Sequence, residues 1–219
     1  MVDIALKLLR AGLVSGTWGN ASARLSTGTG YELLTDESCI AITPSGLSYD
    51  SMNAEDIVII TASGKKVSGE HKPSSEYPLH LAIYAAREEV NAIVHTHSPY
   101  CTALSIAREK IPPACEDMVQ IVGGEVPVAE YAFPGTEKLG HLTVSAMEGK
   151  MAVLMSNHGL VACGRSLNEA YKTAAIVEKS AMATIYASFI GKIHPIPRED
   201  IEKMRAFYRD EYSQEFRDT

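Results

Sequence analysis

His95-Thr96-His97 is the segment whose residue types and spacing come nearest to a metal chemistry. In an extended strand, residues i and i+2 point to the same face about 7 Å apart along the backbone, so two imidazoles can reach one cation. A third histidine stands in Asn157-His158-Gly159, where glycine permits a close backbone approach. Three neutral imidazoles leave a four-coordinate cation one open position, as catalysis requires. Such sets serve zinc, cobalt, nickel and copper alike, so ligand type does not choose the metal. The competing account, histidines satisfied by ordinary hydrogen bonds near a strand end, explains a lone His-x-His as well, and His158 is what weighs against it.

Glu76 follows Pro73-Ser74-Ser75, a helix N-cap signal ahead of Leu79, Ala82, Ile83 and Ala86 at helical spacing. The pattern places Glu76 in a first helical turn, where the dipole favours a carboxylate and a nearby cation would keep it ionised. It is the candidate acid/base, although an ordinary first-turn glutamate fits the same position. His80, one turn on, either orients Glu76 or is a half-buried helix histidine. Gly19-Asn20, Thr43-Pro44-Ser45-Gly46 and Ser74-Ser75 are hydroxyl-rich loop segments of the kind that cradle phosphate, and each alone also fits a turn or cap.

The elements that must position these groups begin with a helix marked by Ile4, Leu8 and Leu9 and ended by Gly12. From Gly16 to Ser68, Cys39-Ile40-Ala41-Ile42 and Ile57-Val58-Ile59-Ile60 alternate with turn signals at Gly28 to Gly30, Pro44-Ser45-Gly46 and Ser63-Gly64. They predict several strands of an antiparallel sheet. Residues 92–97 and 152–155 have the apolar density of buried strands, each leading to histidine. Ser166 and Glu169 make a capping box for a helix carried by Ala170, Ala174, Val177, Ala181 and Ile185 to Gly191. After Pro195 and Pro197, Ile201, Met204 and Tyr208 mark a final amphipathic helix.

The 219 residues, 46% hydrophobic, suffice for one substantial core, and no composition shift divides them. One domain over 1–219 is expected, with a C-terminal helix and tail from about 197. The net charge of −7 comes without a basic block, so nucleic acid is not an expected partner. Asp3, Lys7 and Arg10 interrupt the N-terminus as a secretory signal, and the charge-free stretch 90–107 holds His95, His97 and Pro99, which a membrane helix would bury at high cost. Cys39, Cys101, Cys115 and Cys163 form no Cys-x-x-Cys pair, which fits a reducing cytoplasm.

Taken in order, Gly19-Asn20-Ala21-Ser22-Ala23-Arg24, Ile42-Thr43-Pro44-Ser45-Gly46, Lys72-Pro73-Ser74-Ser75-Glu76, His95-Thr96-His97 and Asn157-His158-Gly159-Leu160 resemble the class II aldolase/adducin family. The match runs from the first helix to about Gly191. The resemblance implies a three-layer α/β/α sandwich on a mainly antiparallel sheet. It implies one zinc ion per subunit on His95, His97 and His158, with Glu76 as an acid/base that also approaches the metal. Gly19, Asn20, Ser45, Gly46, Ser74 and Ser75 would surround the phosphate of a sugar substrate. The expected reaction is reversible cleavage of a ketose 1-phosphate, similar to L-fuculose 1-phosphate, into dihydroxyacetone phosphate and a short aldehyde. A homotetramer with active sites between subunits is also implied.

Two positions depart from the pattern. Where related ketose-phosphate aldolases carry a proton-donating tyrosine upstream of Gly-Gly, alignment on Gly123-Gly124 gives Asp117, and an aromatic contact in the aldehyde region is replaced by Pro134. Asp117 either takes over proton transfer or is a loop carboxylate, and Tyr208 or Tyr212 is either the family's C-terminal tyrosine or a core or surface tyrosine. A sugar-phosphate 4-epimerase, dehydratase or decarboxylase would use the same metal chemistry. Glu76, where the epimerases have aspartate, and the short C-terminal region argue against the epimerase. An adducin-like interaction module would not need the intact histidines and Glu76.

Overall fold

A computed structural model describes residues 1–25, 35 and 38–212, so the expected turn at Gly28 to Gly30 and the end of the tail, 213–219, lie outside the described residues. Among those residues eight strands form one sheet: β1 (Asn20–Arg24), β2 (Cys39–Ile42), β3 (Val58–Thr61), β4 (Lys66–Ser68), β5 (Ala92–Thr96), β6 (Val128–Ala129), β7 (Ala152–Met155) and β8 (Gly159–Gly164). Their order is β4-β3-β2-β1-β5-β8-β7-β6, and every pair is antiparallel except β6 with β7.

Among the described residues seven α-helices cover the two faces: α1 (Val2–Arg10), α2 (Tyr77–Ala86), α3 (Pro99–Ala107), α4 (Glu116–Val122), α5 (Glu137–Met147), α6 (Leu167–Ile190) and α7 (Arg198–Phe207). The period of two along each central strand divides the core. Ala92 and Val94 of β5, Leu154 of β7 and Leu160 and Ala162 of β8 pack with α1, α3, α4, α6 and α7. Ile93, Val153, Val161 and Cys163 turn the other way, onto Leu79 and Ile83 of α2 and Leu139 and Met147 of α5. The result is the three-layer α/β/α arrangement expected from the motifs, on a mainly antiparallel sheet.

Local signals set several boundaries. The Ser166 hydroxyl accepts from the Glu169 N–H and opens α6, which runs to Gly191. The other half of the expected capping box is displaced by one residue, because the Glu169 carboxylate takes the Arg165 N–H at 2.6 Å together with the Arg165 guanidinium. Helix α2 begins at Tyr77, so Glu76 occupies the N-cap position and not the first turn, and its own N–H donates to the Ser74 hydroxyl. No helix among the described residues is long and apolar enough to cross a membrane.

Candidate active site

Antiparallel pairing brings the start of β1, the end of β2, the end of β5 and the start of β8 to one end of the sheet. Asn20 is paired with His95, and Thr96 with Leu160. The Ala21 and Thr43 backbones are joined by a Thr43 N–H to Ala21 carbonyl bond of 3.0 Å, and the Thr43 carbonyl accepts from the Ser74 N–H at 3.0 Å. The three loop segments read from the sequence are thereby tied to each other and to the mouth of the histidine cluster.

His95 lies on β5 and His97 just beyond it, so the alternation expected of a strand persists through one extra residue. His158 sits in the β7–β8 turn. Asn157 holds a left-handed φ of 60° there, and its side-chain oxygen accepts from the Arg108 guanidinium. A Cβ on Gly159 would stand 2.2 Å from the Thr96 carbonyl oxygen, so only glycine lets β8 pass this close to β5. Gly19 is constrained in the same way, its φ being 123° and a Cβ meeting Val14 at 2.5 Å.

The Nε2 atoms of His95 and His97 are 2.8 Å apart, His95 Nε2 is 3.2 Å from Glu76 Oε2, and His158 Nε2 is 3.3 Å from Glu76 Oε1. One ligand-type atom from each of these four residues lies within 4.8 Å of the others. His95 Nδ1–H donates to the Leu160 carbonyl at 3.0 Å, which leaves the lone pair on Nε2, directed into the cluster. Burial pushes all three imidazoles toward the neutral form that ligates metals. His158 falls to about 4, helped by His95 beside it. Burial opposes ionisation of Glu76, but His95, His158 and the Asn20 amide outweigh it and hold the carboxyl below the ordinary range. Glu76 Oε1 is buried and accepts no hydrogen bond. Three neutral nitrogens and a partnerless carboxylate oxygen converging on one point are a donor set that fits a divalent cation such as zinc.

Above this floor is a cavity of about 400 Å³ lined by all six residues expected around a phosphate, Gly19, Asn20, Ser45, Gly46, Ser74 and Ser75, together with Glu76, His97 and His158. Ser45, Gly46 and Ser75 are exposed to it, while Ser74 is buried beneath. The Asn20 amide is engaged differently from a phosphate donor: its Nδ2–H donates to Glu76 Oε2 at 2.9 Å and its Oδ1 accepts from His80 Nε2 at 2.5 Å. Pro134 lines the same cavity.

Asp117 and Tyr212 are not brought to this cavity within the chain. Asp117, on α4, is paired with Lys179 of α6 and has a side chain 41% exposed. Tyr212 is 64% exposed and stacks on Tyr208, with ring centroids 5.9 Å apart. Tyr208 itself is buried and donates to Glu169 at 3.2 Å.

Three contributors escape sequence reasoning. Trp18 lines the cavity at 68% exposure with its ring 6.0 Å from that of His97. Tyr49 donates to the Gly19 carbonyl at 2.7 Å and pins the turn before β1. Glu178 of α6 accepts from the Ser98 hydroxyl and from the Tyr100 and Cys101 N–H groups, capping α3 immediately after His97. The Gly16-Thr17-Trp18-Gly19 run is the one signal in the sequence, a large aromatic residue set between turn-forming glycines.

The profile of the family described as Class II Aldolase and Adducin N-terminal domain matches residues 1–185. A 5-deoxy-D-ribulose 1-phosphate aldolase of Bacillus thuringiensis serovar kurstaki is 34% identical, over 93% of this chain and 91% of its own. An L-fuculose phosphate aldolase of Escherichia coli strain K12 is 36% identical, over 90% and 85%. The solved structure of an L-fuculose 1-phosphate aldolase superposes with a TM-score of 0.86 at 35% identity, covering 95% of this chain and 93% of that one.

Proposed function

The chain belongs to the class II aldolase and adducin family, and from that premise we propose that it is a zinc-dependent aldolase that reversibly cleaves a ketose 1-phosphate into dihydroxyacetone phosphate and a short aldehyde. The observation that carries this reading is the convergence of His95, His97, His158 and Glu76 beneath a cavity walled by hydroxyl-bearing turns. Relatives named for L-fuculose phosphate and for 5-deoxy-D-ribulose 1-phosphate support a ketose 1-phosphate and leave its aldehyde half to be assigned.

His95, His97 and His158 would hold the zinc, with Glu76 approaching it in the resting enzyme. When bound, the ion supplies a Lewis acid for the substrate oxygens and an electron sink for the carbon–carbon bond pair. In the direction of synthesis, Glu76 removes a proton from the hydroxymethyl carbon of dihydroxyacetone phosphate, that carbon adds to the aldehyde carbonyl, and the former aldehyde oxygen takes up a proton. In cleavage the same groups run in reverse. Ser45, Gly46, Ser74 and Ser75, with the backbone of the Gly19-Asn20 segment, fix the phosphate through neutral donors, setting register without entering the chemistry. Asp117 or Tyr212 serves the aldehyde oxygen. Both lie outside the cavity of their own chain, so the role requires reach across a subunit boundary, which accords with a cytoplasmic homotetramer whose active sites lie between subunits.

The test is to incubate the zinc-loaded protein with dihydroxyacetone phosphate and a panel of short aldehydes and to identify the ketose phosphates formed. A ketose 1-phosphate from at least one aldehyde is expected. No product from any of them would contradict the reading and favour a dehydratase or epimerase.

A further inference from the structure

Behind Glu76 the buried polar atoms form one connected chain whose hydrogen directions are all determined. A carboxylate only accepts, so Asn20 must present its Nδ2–H to Glu76 Oε2, which turns Asn20 Oδ1 toward His80. His80 Nε2 therefore carries the hydrogen, and its Nδ1, left bare, accepts the Ser22 hydroxyl hydrogen at 2.6 Å. The Ser22 oxygen in turn accepts from the Tyr84 hydroxyl at 2.8 Å. His80 and Ser22 are fully buried and Asn20 and Tyr84 nearly so, so no bulk solvent is available to substitute for a missing partner. Complete burial also favours the neutral ring that this pattern requires, placing His80 at about 3.

The consequence lies in the Asn20 amide. Flipped, it would set Oδ1 against the Glu76 carboxylate and Nδ2–H against the Nε2–H of His80, repulsive at both ends. The Asn20 orientation and the His80 tautomer thus lock each other, and Asn20 ties Oε2 of Glu76 and leaves Oε1 without a hydrogen bond. We propose that Asn20, His80 and Ser22 are positioning residues for proton transfer at Glu76, holding Oε2 in a fixed hydrogen bond so that Oε1 is the oxygen that exchanges a proton with the substrate. This rests on the reading of Glu76 as the acid/base.

The experiment follows solvent deuterium entering dihydroxyacetone phosphate, with kcat, KM and bound metal measured for the holoenzyme and for His80→Leu, His80→Gln, Ser22→Ala and Glu76→Gln. His80→Leu is expected to lower kcat for exchange by about 10- to 100-fold, the usual effect of removing an outer partner, with KM and metal content near wild type. His80→Gln, which can still offer an N–H to Asn20, should recover most of that loss. Ser22→Ala, a change small enough for the core to tolerate, should lower kcat by about fivefold, the worth of one net hydrogen bond. Wild-type kcat in both His80→Leu and Ser22→Ala overturns the proposal, as does a His80→Leu loss that tracks lost metal or that His80→Gln fails to restore. If His80→Leu does not fold, Ser22→Ala decides alone, unchanged kcat being the refutation. Glu76→Gln separates the two levels: wild-type exchange in that variant overturns Glu76 as the base, whereas an inactive Glu76→Gln beside unaffected His80 and Ser22 variants overturns only the chain behind it.

Discussion

The floor of the cavity and its rim are built on opposite principles. At the floor, His95, His97, His158 and Glu76 come from three segments of one chain, are buried or half-buried, and are held by paired strands, a close-approach glycine and a buried hydrogen-bond chain. At the rim, Pro134 contributes no donor, Trp18 is exposed, and Asp117 and Tyr212, the residues proposed for the aldehyde oxygen, stand elsewhere on the chain. Under the proposed function, chemistry common to many substrates sits where the fold over-determines geometry, and choice among aldehydes would fall to exposed groups and, in the proposed homotetramer, to neighbouring subunits. The two regions should therefore fail in different ways.

The largest effect is expected at the floor. His97→Ala should abolish stoichiometric metal binding and, with it, both proton exchange into dihydroxyacetone phosphate and cleavage of ketose phosphate. Full metal content in that variant, measured by elemental analysis, would break the ligand assignment. On the other side, Asp117→Asn or Tyr212→Phe should lower cleavage by about 10²-fold for whichever residue serves the aldehyde oxygen while sparing exchange, because exchange needs only the dihydroxyacetone phosphate half. Equal loss of both activities would erase the distinction between the regions.

The buried imidazoles also give the metal-free protein a pH signature. His80 and His158 fold with values of about 3 and about 4, below the ordinary 6.5, so over that interval the unfolded chain takes up protons that the folded chain does not. Their contribution is fully present above pH 6.5 and is lost as pH falls toward the folded values. The urea midpoint of the metal-free protein should drop across this window, less steeply in His80→Leu. A midpoint independent of pH would contradict neutral burial. The smallest effect is expected at the rim: Trp18→Ala should change the relative kcat/KM among aldehydes within about tenfold without altering metal content.

How far the sequence anticipates this molecule follows the same division. His95 and His97 were legible because a strand's period of two is a local property, and Asn157-His158-Gly159 because its glycine marks a tight passage. Helix α6 was legible from Ser166 to Gly191 because its start and stop signals are local too. Helices α3, α4 and α5 were not anticipated, since short helices packed on a sheet owe their stability to tertiary burial more than to their own patterning. The Asn20 amide could be read only as a loop donor, because its engagement with Glu76 and His80 depends on residues 56 and 60 positions away. Asp117 and Tyr212 remain the least legible, because nothing within one chain brings them to the cavity.

The dependence of catalysis on a single metal at His95, His97 and His158 is tested by a zinc titration of the chelator-stripped protein, following deuterium exchange into dihydroxyacetone phosphate as metal is restored. No exchange is expected in the stripped protein, followed by a linear rise that ends at about one zinc per chain, with no recovery in His97→Ala. Exchange in the stripped protein equal to that of the loaded one, or full recovery in His97→Ala, would contradict it.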